Sequence, residues 1–210
     1  MKSSCRKLRD RALSGYNQRI AATAAEQVTA TVSERHDSVV IVGPDPGWAE
    51  SFAHAKADLQ ILCGARVHGI EHIGSTAVPG LAAKPVIDLP CGVATMAAAD
   101  ECGTVLRARG WEMPEDINRE LTERRFLLQR NAQGVRTHHV HFVVYEGPLW
   151  REYVDFRDKL RGSEVLRHRY EQLKKGLAAQ FHDQRSRYTA SKTDFVKEVL
   201  GLDEEPKSRG

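Results

Sequence analysis

Apolar positions change their spacing several times along the chain, and each change predicts a different element. From residues 48 to 62 they recur at helical intervals, at Trp48, Phe52, Ala55, Leu59 and Leu62, which predicts an amphipathic helix. Asp45 is placed to cap it, with Pro46 at the first helical position. Before the Gly43-Pro44-Asp45-Pro46-Gly47 turn, residues 38–42 form a β-branched run that reads as a short strand. Residues 66–73 and 85–93 read as two further strands, parted by Gly74-Ser75-Thr76 and by a Pro79-Gly80 turn. A helix over 95–109 ends at Gly110. Strands over 125–129 and 137–145 flank a hairpin turn at 131–134. Beyond Pro148, amphipathic helices are predicted over 150–160, 163–181 and 189–200.

Strands with interspersed helices, followed by a helical C-terminal third, predict an α+β domain rather than regular βαβ units. Residues 1–36 have few large apolar side chains and read as a loosely packed, possible helical leader. Residues 37–202 read as the ordered domain, and the polar stretch 203–210 as a disordered tail. A chain of 210 residues with 41% hydrophobic and 28% charged residues can bury a core without staples. The formal charge of +3 is too small to imply nucleic-acid binding. No apolar run is long enough to span a membrane. The N-terminus lacks the apolar stretch of a secretory signal, and the four cysteines make no CxxC pair, so the expected setting is cytoplasmic.

The candidate chemistry starts at Glu71-His72-Ile73-Gly74-Ser75-Thr76 and ends at Lys84-Pro85-Val86-Ile87-Asp88-Leu89. Gly74, Ser75 and Thr76 form a small-residue turn whose backbone N–H groups and hydroxyls can approach a phosphate. Asp88 interrupts an apolar strand, where an unpartnered carboxylate is costly. A divalent cation would supply the partner, and Mg²⁺ prefers carboxylate oxygens together with substrate phosphate. Lys84 offers a point charge for phosphate. Each residue alone has a plainer reading, as turn, hydrogen-bonded acid or solvated base; their combination points to a site.

In the segment Arg136-Thr137-His138-His139-Val140-His141-Phe142, strand alternation puts His139 and His141 on one face and His138 on the other. Two histidines on one face can ligate a metal or, when protonated, bind phosphate. Among the clustered arginines, Arg125, which leads into the apolar run Phe126-Leu127-Leu128, is expected to face a cleft and grip a phosphate or carboxylate. Lys192, one helical turn after Tyr188, is a further phosphate ligand candidate.

These segments, EHIGSTAVPGLAAKPVIDL, RRFLL, RTHHVHFVV, LWREYVDFRDKLR and YTASKTDFV, resemble the GrpB family in consistent order from about residue 40 to 200. That family belongs to the polymerase-beta-like nucleotidyltransferase superfamily. The resemblance implies the mixed sheet of the nucleotidyltransferase fold. The superfamily pattern is a Gly-Ser turn, then an Asp, an apolar residue and a second acid. Gly74-Ser75 and Asp88 match it, with residues 76–87 between, but Pro90 stands where the second acid belongs. Glu71, His139 and His141 are the candidate substitute ligands.

The resulting expectation is a Mg²⁺-dependent nucleotidyl transfer from a nucleoside triphosphate to a small-molecule acceptor. Asp88, with Glu71 and His139, would hold the metal. Gly74, Ser75, Thr76, Lys84, Arg125 and Lys192 would hold phosphate, and His139 or His141 would act as general base. The alternatives are a binding module of the same fold for a nucleotide or coenzyme A precursor, and a histidine-centred transition-metal enzyme. A metal carboxylate in an anionic site repels its neighbours when the metal is absent, so Asp88→Asn is expected to leave stability unchanged or raise it.

Overall fold

The first helix forms where a side chain can satisfy its open end. In the computed structural model, which describes residues 38–202, helix α1 spans Gly47–Cys63, and the Asp45 Oδ1 accepts the Gly47 N–H at 2.8 Å. Strand β1 (Val67–Ile70) follows, then β2 (Ile87–Val93) and helix α2 (Met96–Arg107). Thr95 caps α2, its Oγ1 accepting the Ala98 N–H at 3.2 Å. A short helix α3 (Glu115–Glu120) precedes β3 (Arg124–Arg130) and β4 (Arg136–Val144). The helical third comprises α4 (Pro148–Gly162), α5 (Glu164–Gln180), α6 (Arg185–Ala190) and α7 (Thr193–Leu200).

The strand order is β1-β2-β4-β3. The outer pairs are antiparallel and the central β2–β4 pair is parallel, so the sheet is mixed. Alternation gives its two faces different tasks. Ile87, Leu89, Cys91, Val93, Leu127, Val140 and Phe142 pack against Leu59 and Cys63 of α1 and Cys102 and Leu106 of α2 as the main core. The residues between them, including Asp88, His139 and His141, face the other way. A second apolar cluster, with Val78, Leu81, Leu160, Tyr170, Phe195 and Val199, ties the helical third to the loop after β1.

Gly69 and Gly92 lie opposite each other across β1 and β2. A Cβ on either would come within 2.6 Å or less of the Tyr145 ring, and Trp150 lies just beyond. The paired glycines make a dent that these two aromatic rings fill, which fixes the start of α4 to the sheet.

Several predicted elements form differently. Residues 38–42 make no extended strand: Val42 forms a single bridge to Ala83, and the Val39 N–H goes to the His182 carbonyl at 2.8 Å. The expected last helix is two, because the chain turns at Ser191–Lys192 between α6 and α7. Helix α3 was not expected. It positions Asn118, whose side chain bonds both the N–H and the carbonyl of Phe126 at 2.8 Å and so steadies β3. The expected leader over 1–36 and the tail over 203–210 lie outside the described residues. No helix among the described residues is long and apolar enough to cross a membrane.

Candidate functional site

The site grows from the parallel pairing of β2 and β4. Its register sets Asp88 beside His139 and Pro90 beside His141. Asp88 Oδ1 lies 2.8 Å from His139 Nδ1 and 3.8 Å from His141 Nε2. One potential ligand atom from each of these three residues falls within 4.8 Å of the other two. Phe126 of β3 supports both imidazoles, its ring centroid 5.2 Å from His139 and 5.3 Å from His141; Tyr153 of α4 packs on His141. The alternation expected for His139 and His141 is therefore realised, and His138 faces α1, 3.3 Å from the Ser51 hydroxyl.

Gly74 closes the site from the other side. Its backbone, at φ +70° and ψ −170°, is a conformation that essentially only glycine adopts. A Cβ there would lie 2.5 Å from Asp88 Oδ2, so the carboxylate rests against the turn. Ser75 begins a single helical turn, Ser75–Ala77, whose first N–H groups have no helical carbonyl to bond. Thr76 has another task. Its hydroxyl donates to the Val86 carbonyl at 3.2 Å and therefore accepts from His72 Nε2 at 3.0 Å, pinning the turn to the entry of β2. Lys84 is half-buried on the segment leading into β2.

Hydrogen-bond polarity fixes the state of His139. Arg185 of α6 can only donate, and its Nη2 lies 2.9 Å from His139 Nε2. The imidazole proton is then on Nδ1, pointing at Asp88. Burial pulls the His139 pKa down to about 4 against the attraction of Asp88, with Arg185 acting in the same direction as burial. Burial also lowers the His141 pKa, and Arg124 adds to the effect. Burial alone would raise the Asp88 pKa, but its hydrogen bonds to the two histidines outweigh it and hold the carboxyl well below the usual range. At neutral pH the group is one carboxylate and two neutral imidazoles. The His141 Nδ1 is buried and takes no hydrogen bond. That donor set and that open nitrogen fit a divalent cation.

The charge around this group corrects the expectation of an anionic site. Lys192 is electrostatically coupled to both Asp88 and Arg185, and burial lowers its pKa to about 8. Its Nζ sits 4.4 Å from the Tyr188 ring centre. Lys174, fully buried on α5, bonds the Ala82 carbonyl and is coupled in turn to Lys192. Asp88 is thus the anion in a cationic surround, and neutralising it removes an attraction rather than a repulsion.

Two predicted residues are not brought to the group. Glu71 lies outside it: its carboxylate accepts from Arg157 Nη1 at 2.6 Å, because that guanidinium is itself buried and needs a counter-charge. Arg125 projects from the opposite sheet face and makes a two-point ion pair with Asp100 of α2, at 2.6 and 3.2 Å. Its neighbour Arg124 is the arginine on the site face, its Nη1 donating to the Tyr153 hydroxyl at 2.7 Å. Sequence reasoning also missed Arg185, for which only its place in the fold is a signal.

His72 gives a separate prediction. Its ring stacks on Phe52, 4.7 Å between centroids and 8° from parallel. Burial lowers its pKa to about 4, against the attraction of Asp88, with Arg161 and Arg157 adding to the lowering. Its folded pKa is depressed, so its contribution is intact above the unfolded value near 6.5 and is lost as pH falls from there to 4, by up to about 3 kcal/mol. His72→Gln, which keeps a donor for Thr76 but does not titrate, should show a shallower fall in denaturant midpoint between pH 6.5 and 4. An unchanged slope would show that His72 does not titrate in this way.

The sequence model of a family described as GrpB protein matches residues 38–201, nearly the whole described domain. The chain belongs to the GrpB family. It is 32% identical over 163 residues to the glutamate-rich protein GrpB of Alkalihalophilus pseudofirmus, covering 77% of this chain and 94% of that one. The crystal structure of the conserved protein GrpB from Enterococcus faecalis superposes with a TM-score of 0.69 at 30% identity, over 77% of this chain and 95% of that one. A shorter match, 34% identical over 116 residues, joins 54% of this chain to 28% of a dephospho-CoA kinase of Mycolicibacterium paratuberculosis.

Proposed function

We propose that this GrpB-family chain binds a nucleoside triphosphate with a divalent cation on the Asp88 face of its sheet and transfers a nucleotidyl group to a small acceptor. The observation that carries this reading is the Asp88 carboxylate resting on the Gly74 turn with His139 and His141 beside it. A turn with unbonded N–H groups and an acid on the neighbouring strand are the paired requirements of that chemistry, and their order resembles the nucleotidyltransferase pattern.

Asp88, His139 and His141 would hold the cation. Two imidazoles suit Mn²⁺, Co²⁺ or Zn²⁺ better than Mg²⁺, which favours an all-oxygen shell. When bound, the cation supplies charge neutralisation on the phosphate under attack. The Ser75 hydroxyl, which makes no hydrogen bond among the described residues, and the first N–H groups of its turn would take phosphate oxygens. Lys192 and Arg124 would offset phosphate charge. The acceptor's proton would pass to solvent as the new P–O or P–N bond forms and pyrophosphate leaves, because a neutral imidazole that ligates a cation through one nitrogen carries its proton on the other.

A second reading is binding without chemistry, of dephospho-coenzyme A or a related nucleotide. It is favoured by Pro90 at the second-acid position and by the relative named as a dephospho-CoA kinase. Calorimetry with ATP and with dephospho-coenzyme A in Mn²⁺, paired with a pyrophosphate-release assay on ATP, separates the readings. Binding of ATP with pyrophosphate release is expected. Dephospho-coenzyme A binding without release would favour the second reading, and no binding of either would overturn both.

A further inference from the structure

Strand alternation puts His138 on the sheet face away from Asp88, where the nucleotide chemistry proposed above leaves it unused. It lines a cavity of about 630 Å³ together with Ser51, Gln129, Leu59, Leu62 and Trp111. That volume, with apolar side chains and a few placed polar groups, is that of a small-molecule site. The polar groups are ordered by their hydrogen bonds. The Thr137 hydroxyl has one proton and donates it to the Gln129 carbonyl at 3.3 Å. Towards His138 Nδ1, 2.9 Å away, the same oxygen can therefore only accept, so Nδ1 carries the ring proton. Burial lowers the His138 pKa, with the Ser51 carbonyl acting against it, and the ring is neutral at pH 7. Nε2 is then an acceptor, and the Ser51 hydroxyl lies 3.3 Å from it. Hydroxyl, imidazole and orienting group follow one another as an activated nucleophile requires, and such a pair is commonly this loose before substrate binds. Gln129 stands directly across from His138 in the β3–β4 register, so both side chains share this face. Its side-chain amide makes no hydrogen bond among the described residues and is a donor in the same cavity.

We propose that this cavity is a second site, in which Ser51 is the nucleophile and His138 the base for cleaving a carboxylic ester with an apolar acyl chain. Ser51 Oγ would add to the ester carbonyl as its proton passes to His138 Nε2, and the Gln129 amide would donate to the oxygen that gains charge. The C–O bond to the alcohol then breaks, and the alcohol leaves with the proton from Nε2. Water attacks the acyl-serine and gives a proton to Nε2; the acid leaves, and Ser51 Oγ recovers that proton. Leu59, Leu62 and Trp111 offer the acyl chain an apolar bed. Thr137 touches no substrate and is a positioning residue. Its neutral hydroxyl orients the ring without the charge with which an acid would stabilise the imidazolium, so the site suits esters with good leaving groups.

The test uses the full chain and two probes: p-nitrophenyl butyrate for turnover, and an alkyl fluorophosphonate for labelling, mapped by peptide mass spectrometry. The parent should release nitrophenol above the buffer rate and carry the label on Ser51, with EDTA changing neither. Ser51→Ala, which suits a helix, should lose both. His138→Gln should lower turnover and labelling rate by about a hundredfold, the scale of a general base. Thr137→Val frees the ring to take the other tautomer and should lower kcat about tenfold with KM unchanged, a split that loss of packing at the cavity wall would not give. Labelling is read on the parent, so it decides the matter even where a variant fails to fold in its thermal melt. Label on another residue, a parent that neither labels nor turns over, or turnover that persists in Ser51→Ala would overturn the proposal. Turnover lost in EDTA would overturn it too, by placing the chemistry at the cation site.

Discussion

Asp88→Asn should lower the thermal unfolding midpoint and abolish cation-dependent nucleotide binding together. The amide keeps the shape and still accepts the His139 Nδ1–H, so the loss is one of charge. Asp88 attracts Lys192, its histidine partners are faced by Arg185 and Arg124, and its hydrogen bonds to those histidines hold its folded pKa well below the ordinary range. Hydrogen bonds to a charged partner contribute about 1.5–3 kcal/mol, and the expected destabilisation is of that order at neutral pH. The sign of the pH dependence follows. A depressed carboxyl pKa contributes stability that is present above the unfolded value near 3.9 and is lost as pH falls through the folded value. The difference between parent and variant should therefore be largest near neutrality and shrink in acid. A variant as stable as the parent at pH 7 would show that the surrounding cations do not rely on Asp88. A variant that still gains stability from ATP and Mn²⁺ would remove Asp88 from the binding site.

Gly74→Ala should be nearly as damaging, although the change is one methyl group on a turn. Residues other than glycine at this φ and ψ cost about 1–3 kcal/mol. The added Cβ also meets Asp88 Oδ2 at 2.5 Å, so the carboxylate or the turn must move. The expected result is a lower melting temperature with phosphate affinity reduced on the order of tenfold or more. Gly80→Ala serves as the control: it too has positive φ, at +76°, but a Cβ there meets nothing within 4 Å. Both variants should lose stability, and only Gly74→Ala should lose ligand binding. Equal binding losses would show that backbone strain alone accounts for the effect.

The parts of the site that could be read in the sequence are those set by local periodicity. Asp88 disturbs an apolar strand, and His139 and His141 share a face because strands alternate, so three residues on two segments could be singled out. Their meeting depends on the β2–β4 register, which no single segment encodes. Arg125 was misplaced for a definable reason. In Arg124-Arg125-Phe126-Leu127-Leu128, both faces of the strand carry a large apolar residue, so the pattern has no phase to say which arginine faces the site. Glu71 was misplaced because its partner, Arg157, lies 86 residues away on α4. Arg185 was missed for the same kind of reason, since its importance comes wholly from packing α6 over the sheet. In the fold, the helices and central strands were legible from spacing and caps. The 38–42 run was not, because Val39 satisfies its N–H on the loop after α5 rather than in a ladder.

The parallel seam between β2 and β4 decides when this site can exist at all. Asp88 and His139 are 51 residues apart, and α2, α3 and β3 must all be threaded between them before their strands can align. The first half offers a ligand one acid and the Ser75 turn, and the second only a pair of imidazoles. A partly folded chain therefore gives little to hold, and bound ligand favours the finished domain. Its stabilisation should spread by mass action over every amide that exchanges through global unfolding, instead of staying near the site. In a cell, the concentration of that ligand would then set how much of the chain survives surveillance for unfolded protein, coupling the abundance of the protein to the supply of what it binds.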